Sequence, residues 1–155
     1  MTHEQELVYA AGLFDGEGCV GVYNTRTKAD KRAASYQLTA RVTMRHPGPV
    51  KLLHSLFGGN FALHFANGRQ YFSWKVTNKQ AETFLIAIKD CLIEKKEQAE
   101  IALEFSALRR QQRKSFDRTK KYPENVFKIR DEYVSKLKKM KREEYSAASV
   151  MGEMK

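Results

Sequence analysis

Asp15-Gly16-Glu17-Gly18 sets two carboxylates either side of a single glycine. Carboxylate oxygens suit hard divalent cations such as Mg²⁺, which take one or two protein carboxylates and complete their shell with water and substrate phosphates. One such pair per chain is a poor metal site. Two chains that brought their pairs together could hold metals around a scissile phosphate, an arrangement suited to hydrolysis. Acids at the C-terminal end of a helix oppose its dipole, so their position needs a reason.

The element that must carry them lies just upstream. Leu7 to Phe14 is free of charge, and residues 4–14 predict a helix with apolar side chains on every face. A helix apolar all round is buried all round. In so small a protein one side faces its own core, and the other needs a cover, for which a second copy of the helix is a natural candidate. The expected dimer interface is Leu7, Ala10, Ala11, Gly12 and Phe14, with the small residues letting two backbones approach. Glycine after the helix would let the chain turn sharply and project an acid away from the apolar body.

Downstream, residues 19–27 and 34–45 alternate as strands. Val20 and Val22, then Tyr36, Leu38, Ala40 and Val42, share one face. Tyr23, Thr25, Thr27, Ser35, Gln37, Thr39 and Arg41 share the other. Residues 49–57 predict a short helix between Pro49 and Gly58-Gly59. A second hairpin turns at Asn67-Gly68, a strong two-residue turn signal. Its inward residues are Phe61, Leu63 and Phe65, then Phe72, Trp74 and Val76, with Trp74 read as core rather than a base-stacking platform. Arg69, Tyr71, Ser73 and Lys75 point outward. Helices follow over residues 79–92 and 96–114, and a last one from Pro123 to about Tyr145, with residues 146–155 frayed. The order α-β-β-α-β-β-α-α makes an α+β fold: one antiparallel sheet with helices on its apolar face. Its polar face, set beside an acidic pair, has the character of a surface that reads a ligand.

The chain has 155 residues and net charge +10, enough length for one domain with a core. The charge is uneven. Residues 109–142 hold the whole excess, while residues 1–108 and the final stretch nearly cancel. A concentrated basic segment suggests a polyanion partner such as nucleic acid. The expected division is a core domain over 1–115 and a basic helical extension over 116–155. No apolar run approaches a membrane span, and "MTHEQE" lacks the order of a secretory signal. Cys19 and Cys91 match no metal or redox spacing and fit free thiols in a reducing compartment. An intracellular protein, not secreted and with no membrane partner, is expected.

"AAGLFDGEG", residues 10–18, resembles the LAGLIDADG motif that names a family of homing endonucleases. Ala10 stands for the leading Leu, and Glu17 for the final Asp. The αββαββα order resembles the family core over about residues 4–110. "CLIEKKEQAEIALEF", residues 91–105, resembles the segment that carries a lysine near the active site, here Lys95 with Lys96 as the neighbouring alternative.

The resemblance implies a homing endonuclease: a homodimer making metal-dependent double-strand breaks in DNA at a long, pseudo-palindromic site, as in intron homing. Glu17 would be catalytic and, with the Gly16 backbone, would hold Mg²⁺, a place that Mn²⁺ or Ca²⁺ can also occupy. Asp15 would cap the helix end outside the metal shell. Lys95 would stabilise phosphate charge or position the attacking water. The sheet would form a saddle on double-stranded DNA, its polar residues in the major groove. In one place the sequence departs from the pattern. Met44 takes an amide position and Gly48 a basic one, with Arg45 or His46 as substitutes. A non-catalytic nucleic-acid binder, such as an RNA maturase aiding intron splicing, is the alternative.

Overall fold

The computed structural model describes residues 1–25, 35–117, 120 and 122–153. The first helix, α1 (His3–Glu17), is followed by β1 (Gly18–Asn24), β2 (Tyr36–Met44) and α2 (Pro47–Phe57). Then come β3 (Asn60–Ala66), β4 (Arg69–Thr77), α3 (Asn78–Ile88), a 3₁₀ turn (Lys89–Cys91), α4 (Lys96–Ser115) and α5 (Glu124–Glu153). The four strands form one antiparallel sheet in the order β1-β2-β4-β3. This is the α+β architecture expected from the sequence.

Local chemistry sets the boundaries. Thr2 and Gln5 form a reciprocal cap, each side chain bonding the other's backbone N–H. The far end of α1 differs from expectation: the helix runs on through the acids to Glu17. It stops at Gly18, which is extended and whose N–H bonds the Phe14 carbonyl. A Cβ at Gly18 would stand 2.2 Å from the Phe14 ring, so only hydrogen fits there. At the second hairpin, Asn67 (φ 51°) and Gly68 (φ 69°) both adopt the left-handed conformation that a tight primed turn demands.

Helices α1, α2 and α3 cover the apolar face of the sheet, and Phe84 is the hub of their packing. Its ring meets Phe14 at 5.1 Å, Phe57 at 4.9 Å and Trp74 at 4.8 Å, each edge to face. Trp74 is core, and its indole N–H donates to the Gly58 carbonyl at 2.7 Å. The inward alternation holds for all four strands: in β3 the register sets Phe61 opposite Trp74 and Leu63 opposite Phe72, on the apolar face. Burial does not follow along β3, where Leu63 and Phe65 are 46% and 75% exposed. That strand is an edge, and its hairpin tip extends past the residues that could cover it.

Helix α5 packs on β1 and α4, and its Leu137 joins the same core. It continues to Glu153, where fraying was expected from residue 146. Beneath it the buried Tyr36 hydroxyl donates to Asp131 at 2.6 Å. The buried Arg130 donates to Gln112 at 2.9 Å and lies over the Tyr36 and Tyr122 rings. Among the described residues no helix is long and apolar enough to cross a membrane.

Candidate metal centre and nucleic-acid interface

The two acids at the end of α1 have different surroundings. The half-buried Asp15 carboxylate is fully engaged: Oδ2 accepts the Ile93 N–H at 2.7 Å and Oδ1 the Lys95 N–H at 2.9 Å. Glu17 is exposed and has no hydrogen bond or ion pair among the described residues. Gly16 sits in the last helical turn, whose carbonyls lack intrahelical partners. An exposed carboxylate and a backbone carbonyl are the oxygen donors a hard divalent cation takes, and they leave room for water and phosphate ligands. Among the described residues no three His, Cys, Asp or Glu side chains gather as a metal cluster.

Lys95 is 5% exposed, and its ammonium donates to the Asp15 backbone carbonyl. The lysine thus reaches the helix end, two residues before Glu17, through both its backbone and its side chain. Lys96 is exposed at the start of α4.

The expected seam of α1 needs correction. Ala10, Ala11 and Phe14 are each 0% exposed within the chain's own core, so they offer no surface to a second chain. Leu7 is half-buried. Gly12 is exposed, and the open face that carries it also holds Val8, Tyr9 and Gly16. A Cβ at Gly12 or Gly16 would meet nothing within 4 Å. The sequence reading did not separate the open face with Val8 and Gly16 from the buried one, because it had no angular reference for the core. Their spacing, Val8, Gly12, Gly16, was the available signal.

The polar face of the sheet is exposed at Tyr23, Thr25, Ser35, Arg41, Arg69 and Lys75, and half-buried at Gln37 and Tyr71. Thr39 and Ser73, expected there as DNA contacts, are buried at 8% and 7% exposure. They are short side chains on the two central strands, flanked on both sides. The Ser73 hydroxyl is already in a 2.6 Å hydrogen bond with His64 Nε2. Thr25 and Ser35 lie just beyond the strands and bond each other, Thr25 donating to the Ser35 carbonyl through its N–H and its hydroxyl. Thr27 lies outside the described residues. His64 and Thr43 are exposed on the same face and were missed, although alternation from Ser73 and Arg41 would have found them.

Arg41 and Lys75 are directly opposite each other across β2 and β4, and both are exposed. Like charges at such a position destabilise a sheet unless something negative lies over them. Arg41 also faces Cys19 on β1, two residues after Glu17, so the cationic pair and the acid share one end of the sheet. At the rim, Lys141 of α5 donates to Cys19 Sγ at 2.8 Å and to the Tyr23 hydroxyl at 3.3 Å. Burial works to lower the Lys141 pKa, but these two partners outweigh it and leave it raised. Met44 is half-buried against the core, and Arg45, His46 and Gly48 are exposed.

The model of the LAGLIDADG endonuclease family matches residues 10–99. Solved structures are similar in fold at low identity. The homing endonuclease I-CvuI, in complex with a DNA target in the presence of magnesium, shares 13% identity at a TM-score of 0.70, over 88% of this chain and 82% of that one. The archaeal intron-encoded homing endonuclease I-Vdi141I, complexed with DNA, shares 16% identity at a TM-score of 0.69, over 88% and 84%. The homing endonuclease I-TnaI shares 14% identity at a TM-score of 0.61, over 88% and 96%. No curated protein matches the chain in sequence.

Proposed function

The chain belongs to the LAGLIDADG endonuclease family, and from that premise we propose that it is a homing endonuclease. It binds double-stranded DNA across the polar sheet face and hydrolyses both strands at a long, pseudo-palindromic site. The observation that carries this reading is the division of labour in the acid pair. Asp15 is consumed by backbone amides, while Glu17 stands exposed and unpaired among the described residues.

Glu17 and the Gly16 carbonyl would hold a divalent cation, Mg²⁺ under working conditions, with Mn²⁺ or Ca²⁺ able to take its place. Solved structures with magnesium and calcium exist among the similar proteins, which supports divalent-metal use. When bound, such an ion polarises a phosphoryl oxygen and makes bound water nucleophilic at neutral pH. Lys95 adds positive charge beside the helix end, where charge accumulates on the scissile phosphate. Asp15 holds the segment that carries Lys95 at the correct height. Arg41 and Lys75 receive backbone or base edges, with Tyr23, Gln37, Arg69 and Tyr71 around them.

Each chain supplies one Glu17, so cutting two strands takes two chains. The exposed stripe of Val8, Gly12 and Gly16 supports a homodimer in which two α1 helices meet at close range. Residues 1–115 form the catalytic and reading domain, and residues 116–155 its basic extension, which adds sequence-independent affinity. The alternative, a non-catalytic binder or RNA maturase, is favoured by one observation: Met44 packs on the core where an amide would otherwise face the site.

A plasmid library with randomised sites separates the two. An endonuclease linearises a defined subset of plasmids, only with divalent metal present. A binder retains DNA or RNA in a shift assay and cuts nothing.

A further inference from the structure

A cleft between α3 and α4 belongs neither to the acid pair nor to the polar sheet face. It lies where β4 passes into α3 and has a volume of about 250 Å³. Its wall carries four cations, Lys79, Arg109, Arg110 and Arg113, against the single carboxylate of Glu82. That carboxylate is already engaged, by Arg110 Nη1 at 2.6 Å and by the Ser106 hydroxyl at 2.8 Å. Arg109 donates to the Asn78 side-chain carbonyl at 2.7 Å and rests over the Phe105 ring. Lys79 and Arg113 are exposed and make no hydrogen bond or ion pair among the described residues.

The cations therefore outnumber their internal partners. The guanidinium of Arg109 is half-buried, and Arg113 and Arg130 stand near it; burial first, then these like charges, hold its pKa below the ordinary value. Such crowding costs the free protein stability, and an external anion in the cleft would relieve it. Guanidinium groups present forked donors that match the oxygens of a phosphate. The first turn of α3, at Asn78 and Lys79, lines the same cleft, and Thr77 gives that helix no side-chain cap.

We propose that this cleft is a phosphate-binding site, separate from the catalytic centre, in which Lys79 and Arg113 hold a phosphate group that Arg109 and Arg110 enclose. Two sources share that chemistry: the backbone of nucleic acid outside the saddle, and a free phosphate or nucleotide. The proposal does not require that the chain cleave DNA.

The test is an NMR titration of the full chain with inorganic phosphate at constant ionic strength, with chloride as control. It is repeated on the double variant Lys79→Gln, Arg113→Gln, with Lys51→Gln, Lys89→Gln as a charge-matched comparison outside both the cleft and the basic extension. Saturable shifts at α3 and α4 amides are expected in the wild type, with affinity falling at least about tenfold only in the cleft variant. Binding to a duplex without a target site, followed against salt, then identifies the source. A salt slope shallower by roughly 0.9 per lost contact in the cleft variant assigns the site to nucleic-acid backbone. An unchanged slope, with phosphate binding still lost, assigns it to a free phosphate or nucleotide. Coincident phosphate and chloride titrations, or equal phosphate affinity in wild type and cleft variant, would overturn the proposal.

Discussion

The Asp15 carboxylate accepts the backbone amides of both Ile93 and Lys95, residues 78 and 80 positions away in sequence. One carboxylate thereby joins the end of the acid-bearing helix to the segment that carries the lysine. The Lys95 ammonium closes the ring by donating to the Asp15 carbonyl. The spacing between Glu17 and Lys95 is set by this clamp rather than by either residue's own element.

Replacing Asp15 with Asn tests the clamp. An amide offers one acceptor oxygen and presents donors where the second backbone N–H already points. The Ile93 N–H lies in an exposed bond, whereas leaving the part-buried Lys95 N–H unpaired costs about 1–3 kcal/mol. We expect a loss of that size in urea unfolding, with local amide exchange quickening around Ile93 to Lys95.

Arg41 and Lys75 give a prediction with opposite signs for stability and binding. Relieving the like-charge pair with Arg41→Thr should stabilise the free protein, by about 0.2–1 kcal/mol. The same change should weaken DNA binding and lower its salt slope by about 0.9 if Arg41 contacts a phosphate. Thermal melts without DNA and a salt series with DNA measure the two arms.

The open face of α1 predicts that Gly12→Leu folds normally. Nothing in the chain stands within 4 Å of the new Cβ, and exchanging a helical glycine for leucine favours the helix by up to about 1 kcal/mol. Self-association should nevertheless fall by at least about tenfold in sedimentation equilibrium, because the approach of two backbones is blocked. Ala11→Leu, pointing into the core, should instead lower the melting temperature.

The pH dependence of stability has an alkaline signature. Burial, and then the hydrogen bond to Asp131, push the Tyr36 hydroxyl up to about 12. Its folded pKa lies above the unfolded one. The stabilisation is therefore complete below the unfolded value of about 10 and is lost as pH rises towards about 12. Tyr36→Phe should flatten that part of the stability curve and leave it unchanged near neutrality apart from a constant offset.

Much of this was legible in the sequence, because periodicity and turn chemistry are local. The two hairpins, the Asn67-Gly68 turn and the core role of Trp74 follow from alternation and from which residues tolerate a left-handed backbone. The facing of α1 was not legible. A helix apolar on every side gives no sign of which side meets its own sheet, so Ala10, Ala11 and Phe14 were expected at a seam and lie in the core. Thr39 and Ser73 show the same limit on a strand: alternation gives the face but not the depth. The Asp15 clamp joins segments 78 and 80 residues apart, beyond the reach of any local pattern.

The central claim is that Glu17 alone of the acid pair holds the metal that cuts DNA. Its direct test is cleavage of a site-library plasmid with Mg²⁺ by wild type and by Glu17→Gln, with binding to the selected site measured for both. The account predicts that wild type linearises the plasmid, while Glu17→Gln binds it within about threefold and cuts at least about a hundredfold more slowly, as loss of a metal-supported step demands. Undiminished cleavage by Glu17→Gln would contradict it.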